Sequence, residues 1–124
     1  MKLYIDTNVY LDYFLDRKKS EYAFRLFKKS LACRFHIIIS DQVLAELYRQ
    51  IEYSEIKFLF ELLKHKMIFV KSEISDEIYA KTIPTHFEDA LHIALAKKSG
   101  ADTIVTNNTK DFCLIFKTNS PEDL

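Results

Sequence analysis

The chain has one glycine, two prolines and no tryptophan in 124 residues. So little glycine and proline excludes sandwiches and barrels, which need tight turns at every corner, and excludes the glycine-lined loops that cradle nucleotide phosphates. Cysteine is also scarce. Cys33 and Cys113 lie far apart, with no CxxC pair and no matching histidine spacing, so neither a zinc site nor a disulfide framework is expected, and both thiols are read as reduced. Charge of one sign is missing as well: 18 basic and 18 acidic side chains cancel, so no global field steers the protein to nucleic acid or to an anionic membrane. No eighteen apolar residues run together, and Asp6 falls where an export signal needs an apolar core. A soluble, cytoplasmic protein is expected.

What is present is a chain able to bury a core. Apolar residues make up 48% and charged residues 29%, which excludes a disordered polymer and supports one domain over residues 1–124. Residues 2–5 form a short apolar run that stops at Asp6-Thr7-Asn8, after which Val9, Tyr10, Tyr13 and Phe14 recur at helical spacing. Ser20 is placed to cap a second helix, and residues 35–39 read as a central strand covered on both faces. Ser40-Asp41 opens a third helix with Val43, Leu44, Leu47 and Ile51 as its buried stripe. Residues 55–63 continue the helical pattern, residues 67–70 form a third strand, and residues 74–80 a brief helix. Thr85-His86-Phe87-Glu88 has the form of a capping box opening a helix that ends at Gly100, the one glycine. Residues 103–105 and 115–118 complete the strands. Strands alternating with helices predict an α/β fold with a central parallel sheet of four to five strands.

In such a sheet chemistry collects beyond the carboxyl ends of the strands. Asp6 ends the first strand, and Asn108 lies just past the fourth. Each has a bland alternative, a helix cap for Asp6 and a polar turn for Asn108. Asp89 lies on a helix that is apolar nearly all round, where an ionised carboxylate needs His92, a lysine or a metal ion beside it. Glu46 and Asp111 read as surface acids on spacing alone, and His92 as a hydrogen-bonded core histidine. One device joins these residues: hard oxygen donors from several segments converging on a divalent cation, Mg²⁺ or Mn²⁺, which removes their mutual repulsion and activates water for attack at phosphorus.

Leu3-Tyr4-Ile5-Asp6-Thr7-Asn8-Val9 resembles the opening of PIN domains, and residues 39–47 resemble their second acidic segment. Glu88-Asp89-Ala90-Leu91-His92 and Val105-Thr106-Asn107-Asn108-Thr109-Lys110-Asp111-Phe112 resemble their C-terminal half. The resemblance implies a three-layer α/β/α sandwich and a metal-dependent endoribonuclease like the VapC-type toxins, cutting single-stranded RNA. Asp6, Glu46 and Asp89 match three family acids, as catalytic residues and metal ligands. The fourth position is Asn108, a neutral ligand, with Asp111 a candidate to compensate, and Thr7 matches the hydroxyl residue after the first acid. Implied partners are RNA, a small antitoxin encoded nearby and a second copy in a homodimer. A non-catalytic PIN-like RNA- or protein-binding module is the alternative, kept open by Asn108. Arg17-Lys18-Lys19 with Arg25, Lys28 and Lys29 is read as a solvated face or an RNA-backbone track, with Tyr10, Tyr13 or Phe14 available for stacking.

Overall fold

The computed structural model describes residues 1–124 except Cys33, Cys113 and Leu114. The expectation that the two cysteines stay unpaired therefore lies outside the described residues. Five strands, β1 (Lys2–Ile5), β2 (His36–Ser40), β3 (Met67–Val70), β4 (Thr103–Val105) and β5 (Thr118–Asn119), form one sheet in the order β3-β2-β1-β4-β5. All its pairings are parallel, and β1 sits in the middle, with Leu3 opposite both Ile37 and Thr103. The apolar runs follow from this position: Leu3, Tyr4, Ile5, Ile37, Ile38 and Ile104 are buried because helices cover both faces.

Helices α1 (Thr7–Phe14), α2 (Ser20–Leu31), α3 (Asp41–Tyr48) and α4 (Tyr53–Leu63) carry the chain from β1 outward to β3. Right-handed crossovers place them on one face, where α1 packs on α2 and α3, and α2 on α4. The chain then reverses direction across the sheet through α5 (Ile74–Ala80) and α6 (Phe87–Lys98), which pack on each other over the opposite face. A short α7 (Thr109–Phe112) precedes β5. This is a three-layer α/β/α sandwich. Because strand order reverses between β1 and β4, their carboxyl ends splay and leave a crevice at that switch point.

Local chemistry explains most of the boundaries. Ser40 caps α3, its hydroxyl accepting from the Val43 amide at 3.1 Å. Gly100 has φ +74°, with its amide bonded to Lys97 O and the Ala101 amide to Ala96 O. A Cβ at Gly100 would meet nothing within 4 Å, so the left-handed backbone rather than space demands glycine there.

Several expectations are corrected. The capping box at Thr85–Glu88 does not form: His86 is the N-cap of α6 and makes no side-chain cap bond. The reciprocal box lies instead at the start of α5, between Glu73 and Asp76, where a glutamate stands in place of the usual serine or threonine. Ser20 is the first residue of α2 rather than its cap, and its hydroxyl donates to Asp16 at 3.1 Å. α3 ends at Tyr48, so Ile51 is buried beyond the helix. The fifth strand begins at Thr118, three residues later than expected. No helix among the described residues is long and apolar enough to cross a membrane.

Candidate functional site

Asp6 occupies the first position past β1 and does two jobs. It is the N-cap of α1, its Oδ1 accepting from the Thr7 amide at 2.7 Å, and its Oδ2 accepts from the Thr106 hydroxyl at 2.9 Å. Thr106, just past β4, also accepts from the Asn108 amide at 3.0 Å and from Asn8 at 3.2 Å. The two central strand ends are thus tied together by side chains across the crevice. Behind them, buried Asp12 of α1 accepts from Asn107 at 2.5 Å and fixes the loop after β4.

Glu46 approaches from α3. On helical spacing it reads as a surface residue, but α3 packs on α1, and Thr7 donates its hydroxyl to Glu46 Oε2. Its Oε1 accepts from Gln42 at 3.0 Å and from His92 Nε2 at 3.2 Å. His92, on α6, is 2% exposed, and its Nε2 also lies 3.9 Å from Asp6 Oδ1. Behind the ring, Nδ1 bonds the Tyr4 hydroxyl at 2.6 Å, which bonds Ser40 at 2.7 Å. With Nε2–H donating to the carboxylate, the neutral ring accepts at Nδ1 from Tyr4. His92 is therefore hydrogen-bonded, as a core histidine should be, yet one edge of its ring faces the acids.

Asp89 lies in the first turn of α6 and is close enough to Asp6 and Asp111 for their charges to act on it. Asp111 is held by Asn108, whose side-chain amide donates to Asp111 Oδ2 at 2.5 Å. A cleft of about 280 Å³ opens beside Asp6 and Glu46, lined also by Thr7, Asn8, Arg49 and Glu88, whereas Asp89, Asn108 and Asp111 do not line it. Glu88, expected to close a capping box, faces this cleft instead.

The titration of the group reflects its crowding. Burial pushes the Asp6 carboxyl above its ordinary value and Glu46 adds to this, while His92, Thr106 and the Thr7 amide pull the other way. Asp89 is also raised, by burial and then by the charges of Asp6 and Asp111. Glu46 is lowered: burial opposes its ionisation, but the His92 hydrogen bond and charge, with the bonds from Thr7 and Gln42, outweigh burial. For His92, burial disfavours the imidazolium, and the Glu46 bond with the charges of Asp6, Glu46 and Asp89 more than compensates, raising it. Asp6 and Asp89, which resist ionising, are groups that a cation would relieve, and every acid here offers a hard oxygen of the kind Mg²⁺ and Mn²⁺ take. Among the described residues, no three histidine, cysteine or acidic side chains are yet gathered tightly enough to hold a metal ion. Their oxygens are instead engaged by Thr7, Thr106, His92 and Asn108.

The basic run expected as a possible RNA track is mostly partnered. Arg25 pairs with Glu21 at 2.6 Å, Lys19 with Glu122 at 3.5 Å, and Lys29 donates to the Leu124 carbonyl. Tyr10 is buried and stacked on Phe27, so it is not available to a base, and Tyr13 and Phe14 pack against the core. Sequence reading missed Thr106, the cleft-facing edge of His92, and Arg49. For Arg49 a signal existed, its place three residues after Glu46 on the same helix end.

A family model described as PIN domain matches residues 2–110. Curated proteins yield no match. Among solved structures, VapBC2 from Rickettsia felis bound to a promoter DNA fragment has a chain 21% identical, with 97% of this chain and 98% of that one covered, at a TM-score of 0.69. A toxin-antitoxin complex from Klebsiella pneumoniae gives 19% identity, 96% and 97% coverage and a TM-score of 0.68. VapC20 of Mycobacterium tuberculosis, a toxin that cleaves the sarcin-ricin loop, gives 16% identity over 82% and 86% of the two chains, at a TM-score of 0.62. At such identities the likeness is one of fold. The match of the family model over residues 2–110, on a parallel sheet with Asp6 at the exit of its central strand, makes this chain a member of the PIN domain family.

Proposed function

We propose that the protein is a metal-dependent endoribonuclease that cuts single-stranded RNA and serves as the toxin of a toxin-antitoxin pair. The observation that carries this reading is the linkage of Asp6 and Glu46 in one cleft through Thr7 and His92, with Asp89 of α6 close enough for the Asp6 charge to act on it. Asp6, Glu46 and Asp89 would hold Mg²⁺ or Mn²⁺, with Asn108 supplying a neutral oxygen and Asp111 a further carboxylate beside it. Such an ion, when bound, supplies Lewis acidity at phosphorus and a water acidic enough to attack it in line. The protein's own part is to fix the acids. The Thr7 amide and Thr106 hold Asp6, while Thr7, Gln42 and His92 hold Glu46.

Two apolar surfaces support the partners. Tyr13, Phe24, Leu31, Leu59 and Leu62 line a groove between α1, α2 and α4, suited to an amphipathic segment of an antitoxin, the class of complex to which the Rickettsia and Klebsiella structures belong. Ile74 and Ile78, one helical turn apart on α5, are 74% and 62% exposed. This stripe suits a second copy of the chain. The reading places the protein in the cytoplasm with its RNA substrate.

The test is incubation of purified protein with single-stranded RNA, in Mg²⁺ or Mn²⁺ and in excess chelator. Cutting that requires metal supports the reading. RNA bound but left intact under every metal condition would favour the binding-module alternative, to which the pairing of Asn108 with Asp111 in place of a fourth free acid gives some support.

A further inference from the structure

We infer that Arg49 is a substrate-binding residue of this site, its guanidinium taking a backbone phosphate of the RNA beside the acids. The inference rests on the ribonuclease reading and names how its substrate is held.

Arg49 is the C-cap of α3, three residues after Glu46, so both side chains leave the same end of the helix and line the same cleft. A glutamate and an arginine at that spacing ordinarily pair. Here they do not: Glu46 Oε1 accepts from Gln42 and His92, and Oε2 from Thr7. Asp6 likewise accepts from Thr7 and Thr106. Among the described residues the Arg49 guanidinium has no hydrogen bond and no ion pair, its backbone N–H alone donating to Leu47 O, although Asp6, Glu46 and Glu88 share its cleft. It is an exposed cation whose neighbours Asp6 and Glu46 have other partners, with five donors in a planar fork that matches phosphate oxygens.

Substrate chemistry gives that cation a task. A phosphodiester approaching Asp6, Glu46 and Asp89 meets negative charge, and with zero net charge the protein supplies no long-range attraction to offset it. The cations of the α2 region are mostly spoken for by Glu21, Glu122 and the Leu124 carbonyl. A guanidinium on the cleft wall holds the chain through two parallel hydrogen bonds and sets its register against the acids.

The test compares wild type, Arg49→Ala and Arg49→Lys in binding a short single-stranded RNA pool of randomised sequence, with Ca²⁺ replacing Mg²⁺, across a salt series. Calorimetric Mn²⁺ titration of each protein without RNA is the second readout. Arg49→Ala is expected to weaken RNA binding about tenfold and to lower the salt slope by about 0.7, the share of one phosphate contact on a single strand. Mn²⁺ affinity should stay within about threefold of wild type, and in cleavage assays KM should rise more than kcat falls. Arg49→Lys should recover the slope but only part of the affinity, since it keeps the charge and loses the fork. Unchanged RNA affinity and slope in Arg49→Ala would overturn the inference. So would a loss of Mn²⁺ binding as large as that in Asp6→Asn, which would place Arg49 in the ion site. A wild-type protein that neither binds nor cuts RNA would remove the ribonuclease reading and this inference together.

Discussion

The Thr106 hydroxyl donates to Asp6 Oδ2 across 2.9 Å, joining the ends of the two strands between which the sheet reverses its order. Asp6 is 7% exposed and its carboxyl is raised by burial and by Glu46. A carboxyl whose folded pKa is raised weakens folding once ionised, and that penalty disappears as pH falls through the folded value. Asp6→Asn removes the charge while keeping an acceptor for the α1 cap. Without metal at pH 7.5 it should melt at or above the wild-type temperature, by differential scanning calorimetry. Melting several degrees lower would mean that Asp6 is chiefly a structural cap.

Tyr4 and Tyr10 make a matched pair for the energetics of the core. Both are fully buried, but Tyr4 bonds His92 and Ser40, whereas among the described residues the Tyr10 hydroxyl has no hydrogen-bond partner. Tyr4→Phe should lower unfolding free energy by about 2 kcal/mol, because it strands two buried groups, and Tyr10→Phe should be neutral or stabilising by about 1 kcal/mol. Urea unfolding measures both. Equal losses in the two variants would contradict the hydrogen-bond assignment.

The helical register, the Ser40 cap, the Gly100 stop and the strands at residues 2–5, 67–70 and 103–105 were all legible from local pattern. The strands could be read because they are apolar on both faces, and the stop because only glycine takes that backbone readily. Thr85-His86-Phe87-Glu88 misled because a capping motif specifies types and spacing but not the entry angle of the chain. Glu73, a poor cap by composition, succeeds because Asp76 is also held by Lys98 from α6. At the site, Asp6 and Asp89 stood out as acids at a strand exit and on an apolar helix. Glu46 could not be told from a surface glutamate by its own helix, since what brings it inward is the packing of α3 on α1. The cleft-facing edge of His92 was hidden for the same reason, its partners Tyr4 and Glu46 lying 88 and 46 residues away in sequence.

Asp76 provides a pH test. Burial opposes its ionisation, but the Lys98 hydrogen bond, the Glu73 amide and the Lys98 charge outweigh burial and hold it below its ordinary 3.8. A lowered acid contributes stability that is present above the unfolded value and lost as pH falls through the folded one. Lys98 is raised by Asp76 and Glu73 from 10.5, so its share is present below that value and lost as pH climbs past the folded one. The difference in melting temperature between wild type and Asp76→Asn should be steady from about pH 5 to 9 and shrink on either side. A difference that does not vary with pH would show that the pair contributes no charge interaction.

Asn108 donates to Asp111 at 2.5 Å, and Asn108→Asp turns that bond into a repulsion between carboxylates while adding a charged ligand to the site. The variant should be slightly less stable without metal and should bind Mn²⁺ more tightly, by about tenfold. Calorimetric titration of both forms gives the answer. Equal affinities would mean that Asn108 serves only as a turn residue anchoring Asp111.

The most direct measurement of the central claim is RNA cutting by wild type and Asp89→Asn, side by side in saturating Mn²⁺, with the folding of each followed by circular dichroism. Asp89 is half-exposed in the first turn of α6, so its substitution leaves the core untouched. The account predicts metal-dependent cutting by wild type and at least a hundredfold lower rate in a fully folded Asp89→Asn, about 3 kcal/mol of lost transition-state stabilisation. Equal cutting by the two proteins, or cutting that persists in excess chelator, would contradict it.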